Sequence, residues 1–185
     1  MTLPKINIKE LIKGNKTYPT WSTGSCHQLY ATNEKQNTIK IFYTTKSKRI
    51  ISRVFPKKLT LSPEFCYVLG FLKGEGSNSL GKSNYRRFTI TKSDPDIMKF
   101  VLKILEKNKL LSLSRLINKS CHLIHFKLTE KKVIEYWSEK LKLPEEKFKC
   151  FEDKNKTSLF GVCHIYISDV LLRRVVDLIQ EKIMS

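Results

Sequence analysis

Glu75 stands where a helix least favours an acid. The segment 62–77, SPEFCYVLGFLKGEGS, begins like a helix and then meets Gly70, Gly74 and Gly76. A carboxylate at a helix C-terminus faces the negative pole of the macrodipole, and this chain has only 17 acidic residues against 35 basic ones. Cys66, Gly70 and Gly74 recur at spacing four, forming a row of small residues over which a second helix can pack backbone to backbone. Two glycines within a helix cost roughly 2 kcal/mol relative to alanine, a cost that a close partner helix would offset. The plainer alternative is that Gly74 and Gly76 terminate the helix. If the partner is a twin, both helix ends bring their carboxylates together, and paired carboxylates bind hard divalent cations through oxygen. A metal held there can stabilise an attacking hydroxide and a leaving oxyanion at a phosphodiester.

Other candidate chemistry is weaker. Cys121-His122-Leu123-Ile124-His125 has the residue types of a metal cluster, but the segment reads as a strand. Strand alternation sends His122 and His125 to opposite faces. The five cysteines form no C-x-x-C pair and are expected to be reduced thiols, mostly buried. No phosphate-binding loop, dinucleotide fingerprint or H-E-x-x-H motif is present, so no nucleotide cofactor is expected.

The elements that must position Glu75 follow a regular order. Ser62-Pro63-Glu64 supplies an N-cap hydroxyl, a proline at the first helical position and an early acid. Phe65, Leu69 and Leu72 keep helical spacing and are expected to face the core. Short strands are predicted around 77–80 and 85–92. A helix capped at Ser93 or Asp94 follows, with Ile97, Val101, Ile104 and Leu105 on one face. Further strands are predicted at 113–118 and 122–128, turning at 118–120, then a helix over Thr129–Leu141. A last strand pair, 147–152 and 161–167, leads into a helix over Asp169–Ile183. Strand pairs joined by short turns imply antiparallel hairpins and an α+β class. Upstream, Ile6–Lys13 suits a short helix and Thr38–Thr44 a strand. Residues 1–60 are read as a basic, partly structured N-terminal extension, and residues 61–185 as the main domain.

The stretch VLGFLKGEG, 68–76, resembles the LAGLIDADG motif of homing endonucleases, with Gly70, Phe71–Leu72, Gly74, Glu75 and Gly76 in matching places. The helix–hairpin–helix–hairpin–helix order that follows is also similar to that family's, and the likeness covers roughly residues 62–143. It implies a saddle-like antiparallel sheet beside motif helices that form a dimer axis lined by Cys66, Gly70, Lys73 and Gly74. It implies Mg²⁺ or Mn²⁺ bound by the Glu75 carboxylate and the Gly74 carbonyl, with Lys73 standing where the motif has a dispensable acid. Lys92, near the end of the second strand, and Lys142, or alternatively Lys147, after the third helix, would be the supporting catalytic residues. A single motif implies a homodimer cutting both strands of double-stranded DNA at a nearly palindromic site, as in intron-encoded enzymes. A relative that grips DNA or RNA without cutting, a maturase or regulator, is the alternative.

In that family the sheet lies in the major groove of DNA, and the contacts it implies here are Arg86, Arg87, Thr89, Thr91, Arg115, Lys119, His125 and Lys127. In the strand YRRFTITK, Phe88 and Ile90 point one way and Arg87, Thr89 and Thr91 the other. In HLIHFKL, Ile124, Phe126 and Leu128 oppose Leu123, His125 and Lys127. Long donors on such a face can grip phosphates or read guanine edges, although alternation alone also fits a plain solvated face.

Charge agrees with a polyanionic partner. The formal net charge is +18, a field that attracts nucleic acid, although lysine-rich composition by itself would produce it too. No stretch approaches the ~20 apolar residues that cross a bilayer, and the N-terminus lacks a secretory signal. A non-membrane, intracellular protein is therefore expected.

Overall fold

The computed structural model describes residues 3–18, 26–74 and 87–184, with the side chains of Arg87, Phe88 and Arg115 outside that description. Strand β1 (Lys5–Asn7) runs into the short helix α1 (Ile8–Ile12), whose first turn is capped by the Asn7 side chain accepting from the Lys9 N–H. Strands β2 (Lys16–Thr17) and β3 (His27–Gln28) pair with each other. Strands β4 (Tyr30–Lys35), β5 (Thr38–Thr44) and β6 (Ile50–Pro56) form an antiparallel meander. Strand β7 (Lys58–Thr60) returns to pair with β1. The β5 alternation is a half-buried strand's: Ile39, Ile41 and Tyr43 are buried, their neighbours less so.

Helix α2 spans Pro63–Gly74. The Ser62 hydroxyl accepts from the Phe65 N–H at 3.3 Å, so the expected N-cap forms. Strand β8 (Arg87–Lys92) precedes helix α3 (Pro95–Lys107), whose cap is Asp94, accepting from the Asp96 and Ile97 N–H groups. Next come strand β9 (Cys121–His125), helix α4 (Glu130–Leu141), strands β10 (Phe148–Glu152) and β11 (Val162–Ser168), and helix α5 (Val170–Met184). The Asp169 carboxylate caps α5, accepting from the Leu172 N–H at 2.8 Å.

The class is α+β, as expected, with two differences in detail. Residues 113–118 do not form a strand: Leu113–Arg115 is a 3₁₀ turn. Leu110, Leu111 and Leu116 around it are all buried, and that spacing cannot be met by an extended chain showing one face to the core. The strands at 148–152 and 162–168 are not a hairpin either. The sheet order is β10-β9-β11-β8, with β10 parallel to β9 across the α4 crossover and β11 inserted antiparallel between β9 and β8. The predicted strand at 77–80 lies outside the described residues.

The loop from β10 to β11 lies closely over β9. Gly161, at φ +72°, sits where an added Cβ would meet the Ile124 carbonyl oxygen. Trp137 of α4, fully buried, donates its indole N–H to the Phe160 carbonyl at 2.8 Å and fixes the same turn.

One hydrophobic core runs through the described residues. Ile6, Ile8, Ile12, Ile41, Phe55 and Leu59 from the first sixty residues join Phe65, Leu69, Ile90, Leu105, Trp137, Ile165 and Leu172 from the rest. Helix α1 packs on α5. Arg53 of β6 bridges the Asp169 carboxylate and the Leu110 carbonyl. The N-terminal extension is thus built onto the last helix, with Arg53 tying it to the start of that helix.

Candidate functional site

Helix α2 separates its faces cleanly. Phe65, Val68, Leu69 and Leu72 are buried, whereas Cys66, Gly70, Lys73 and Gly74 are exposed. A Cβ added at Gly70 or Gly74 would meet nothing within 4 Å. No described element therefore packs on the small-residue row within one chain. The helix is fastened on its other side: Gln180 of α5, itself buried, donates to the Leu69 carbonyl at 2.7 Å. The Lys73 ammonium lies 2.8 Å from the Met184 sulfur at the end of α5.

Gly74 is the last described residue of α2, and it is exposed. Glu75 lies outside the described residues. Lys92, at the end of β8, holds its ammonium 5.4 Å from the centre of the Phe71 ring, one turn before Glu75 in sequence. Its partner position across the sheet is Cys163, which is buried, so Lys92 is on the helix side of the sheet. Of the two supporting lysines read from sequence, this one is beside α2. Lys142 is the exposed left-handed residue that ends α4, its N–H donating to the Ser138 carbonyl, and α4 packs on α3, β9 and β10. The alternative, Lys147, is committed elsewhere, donating to the Leu116 carbonyl at 2.7 Å and the Asn118 side chain at 3.0 Å.

The sheet has an inner face on the helices and an outer face away from them. Ile90, Ile165 and Cys121 lie side by side on the inner face. The opposite parity places Thr91, His164, His122 and Lys149 in one row across the four strands, with Thr89, Tyr166, Ile124 and Phe151 beside it. His122 lies between Phe151, at 4.9 Å between ring centroids, and Tyr166, at 4.6 Å. Lys149 holds its ammonium 4.8 Å from the Phe151 ring centre. The Thr91 hydroxyl is 3.0 Å from His164 Nδ1. Burial, then the charges of Lys156 and His122, hold His164 below its ordinary pKa. The outer face is thus half-exposed, aromatic and imidazole-rich, with a cation at its rim.

Several sequence-predicted contacts fall on or near this face and others do not. Thr89 and Thr91 lie on it, although Thr89 is 9% exposed beside Tyr166. Arg87 pairs with Ser168 in register. Lys127 is exposed just beyond β9, and Lys119 is an exposed turn residue at φ +58°. His125 must be corrected. It is 2% exposed and shares the inner face with Cys121 and Leu123, so it cannot reach a duplex lying on the outer face. The alternation was right and the choice of face was inverted, because both sets of β9 side chains carry large apolar residues. Arg86 lies outside the described residues, as does the Arg115 side chain. His122, His164, Tyr166, Lys149 and Phe151 come together on this face only once the strand order is known. Their signal is the period-two polarity of β11, where His164, Tyr166 and Ser168 alternate with Cys163, Ile165 and Ile167.

Of the five cysteines only Cys121 and Cys163 are buried, fewer than expected, and Cys66 is exposed. Burial pushes Cys121 up to about 11 and Cys150 up to about 12, and drives Cys163 well above its ordinary value, so these thiols stay protonated. His122 and His125 face opposite sides of the sheet. Among the described residues no group of three or more His, Cys, Asp or Glu could hold a metal ion, and no helix is long and apolar enough to cross a membrane. Set against models of known protein families, curated proteins and solved structures, the chain matches none of them.

Proposed function

We propose that this protein is a homodimeric, divalent-metal-dependent, site-specific double-strand DNA endonuclease of the LAGLIDADG type. The observation that carries the reading is the open face of α2 at Gly70. A glycine inside a helix costs about 1 kcal/mol relative to alanine, and no described neighbour comes near enough to use the space it leaves. A twin helix would use it, and would bring both copies of the segment after Gly74 to one axis.

The chemistry of the helix end fits a hard cation. Gly74 offers a carbonyl oxygen, Glu75 follows it directly in sequence, and all-oxygen donor sets suit Mg²⁺ or Mn²⁺. Bound there, the metal would supply Lewis-acid stabilisation of charge at the scissile phosphate. Lys92, beside Phe71, would hold positive charge near the same helix end. The outer sheet face would lie on the DNA, with Thr91, His164 and Lys149 turned toward it.

A second reading, a non-cleaving binder of DNA or RNA, is favoured by one observation of its own. The row of Phe151, His122 and Tyr166 is a ring-lined surface that can bind nucleic acid without Glu75. Incubation with randomised duplexes, with and without Mg²⁺, followed by sequencing of the ends, tests the choice. Site-specific ends that appear only with metal, and vanish in Glu75→Gln while affinity persists or rises, support the nuclease. Tight binding to one site with no cleavage in Mg²⁺ or Mn²⁺ supports the binder.

A further inference from the structure

We propose that the β4–β6 meander carries a second nucleic-acid contact, a basic cleft that grips the phosphate backbone flanking the segment on the main sheet. The proposal rests on the nucleic-acid reading above and extends it to a part of the chain outside the LAGLIDADG resemblance. An open cleft of about 1080 Å³ separates the meander from β11 and the 111–117 segment. Lys40, Lys46 and Arg49 line one side, and Tyr166 lines the other. Tyr166 also belongs to the aromatic row of the outer face, so the cleft opens directly onto that face.

Its lining carries four cations, Lys40, Lys46, Arg49 and Arg53, and is net basic. Two carboxylates, Glu34 and Asp169, share the lining, and Asp169 is already paired with Arg53. Among the described residues no carboxylate pairs with Lys40, Lys46 or Arg49. Residues 1–60 hold 12 basic and 2 acidic residues, a net +10. The basic rim is also held in place. At the β5–β6 turn the Thr45 N–H donates to the Arg49 carbonyl at 2.8 Å, and the Thr45 hydroxyl accepts from the Arg49 N–H at 3.0 Å. Lys46, Lys48 and Arg49 therefore project from a fixed hairpin tip and lose little backbone freedom on binding. The occupant that fits is a polyanion with regularly spaced charge. A duplex seated on the outer face presents its backbone at the cleft mouth.

The test uses the full chain and salt-dependent binding to a random-sequence duplex. The triple variant Lys40→Ala/Lys46→Ala/Arg49→Ala is compared with Lys99→Ala/Lys103→Ala/Lys107→Ala. The control removes equal charge from exposed positions on α3, which packs on the helix side of the sheet. Loss of three phosphate contacts lowers the salt slope by about 3 and the affinity roughly 10²-fold near 0.15 M salt. The α3 variant should keep the wild-type salt slope and affinity. Equal losses in the two variants would mean net charge alone is read, and would overturn the cleft. So would wild-type binding by the cleft variant, the result expected if an acidic protein is the true occupant. In both cases wild-type binding and cleavage leave the nuclease reading standing. A wild type that binds no duplex overturns both. Should the triple variant melt early, single charge reversals, Lys46→Glu and Arg49→Glu, carry the same comparison.

Discussion

At the scale of single residues, the outer face makes its charge state depend on pH. His164 is half-buried, faces His122 and Lys156, bonds the Thr91 hydroxyl, and titrates below its ordinary value of 6.5. A histidine whose folded pKa is depressed binds fewer protons folded than unfolded between those two values. Stability present above 6.5 is therefore lost as pH falls through that window. We expect the urea midpoint of the wild type to drop below pH 6.5, and His164→Asn, which keeps an acceptor for Thr91, to flatten that drop. An unchanged profile in the variant would move the pH response to another group. The residue scale is also where the sequence is least legible. Glu75 and Gly70 stand out because each breaks a local rule, an acid at a helix end and a glycine in a helix interior. His122, His164 and Tyr166 break none: each is an ordinary strand residue until β11 is placed between β9 and β8.

At the scale of elements, α2 connects stability to assembly. Gly70→Ala fills open space within one chain, so the substitution should raise helix propensity and stabilise the monomer by up to about 1 kcal/mol. If α2 pairs with a twin across Gly70, the added methyls separate the two helices. Sedimentation at matched concentration, with and without duplex DNA, should then show less dimer, and cleavage should fall despite the higher melting temperature. A variant that is more stable and still fully dimeric would remove α2 from the interface. Helices were legible here because their signals are local. Ser62 caps α2, Asp94 caps α3 and Asp169 caps α5, each with a hydrogen bond that its residue type predicts. Sheet order was not local. Strands β10 and β11 follow one another along the chain, which suggested a hairpin. The loop between them, residues 153–161, is too long for the tight turns that fix hairpin register, and the α4 crossover sets β10 parallel to β9. Segment 113–118 failed because its leucines serve several core directions at once.

At the scale of the whole molecule, the first sixty residues decide whether the protein is one folding unit or two. Composition sets them apart, with no helix–hairpin pattern and +10 of the +18 net charge. Packing joins them to the rest. Leu61 donates its N–H to the Pro4 carbonyl at 2.8 Å, and the Arg174 guanidinium donates to the Lys16 carbonyl at 3.1 Å. The Arg53–Asp169 pair adds a link whose side chains are 18% and 25% exposed, partly shielded from solvent. Asp169 also caps α5, so the link fixes the start of the helix that in turn holds α2 through Gln180. Arg53→Met should remove the charge-assisted bonds to Asp169 and Leu110 and cost about 1–3 kcal/mol, with little change in duplex affinity if Lys40, Lys46 and Arg49 keep their places. Removing residues 1–60 altogether should do far more. It exposes the side of α5 on which α1 packs, and takes Ile8, Ile12, Ile41 and Phe55 out of the shared core. Calorimetry of the full chain should therefore give one cooperative transition, and the 61–185 fragment should lack one. A fragment that melts cooperatively near the full chain's temperature would instead make the extension an independent module resting on a self-sufficient domain, and Arg53→Met should then cost almost nothing.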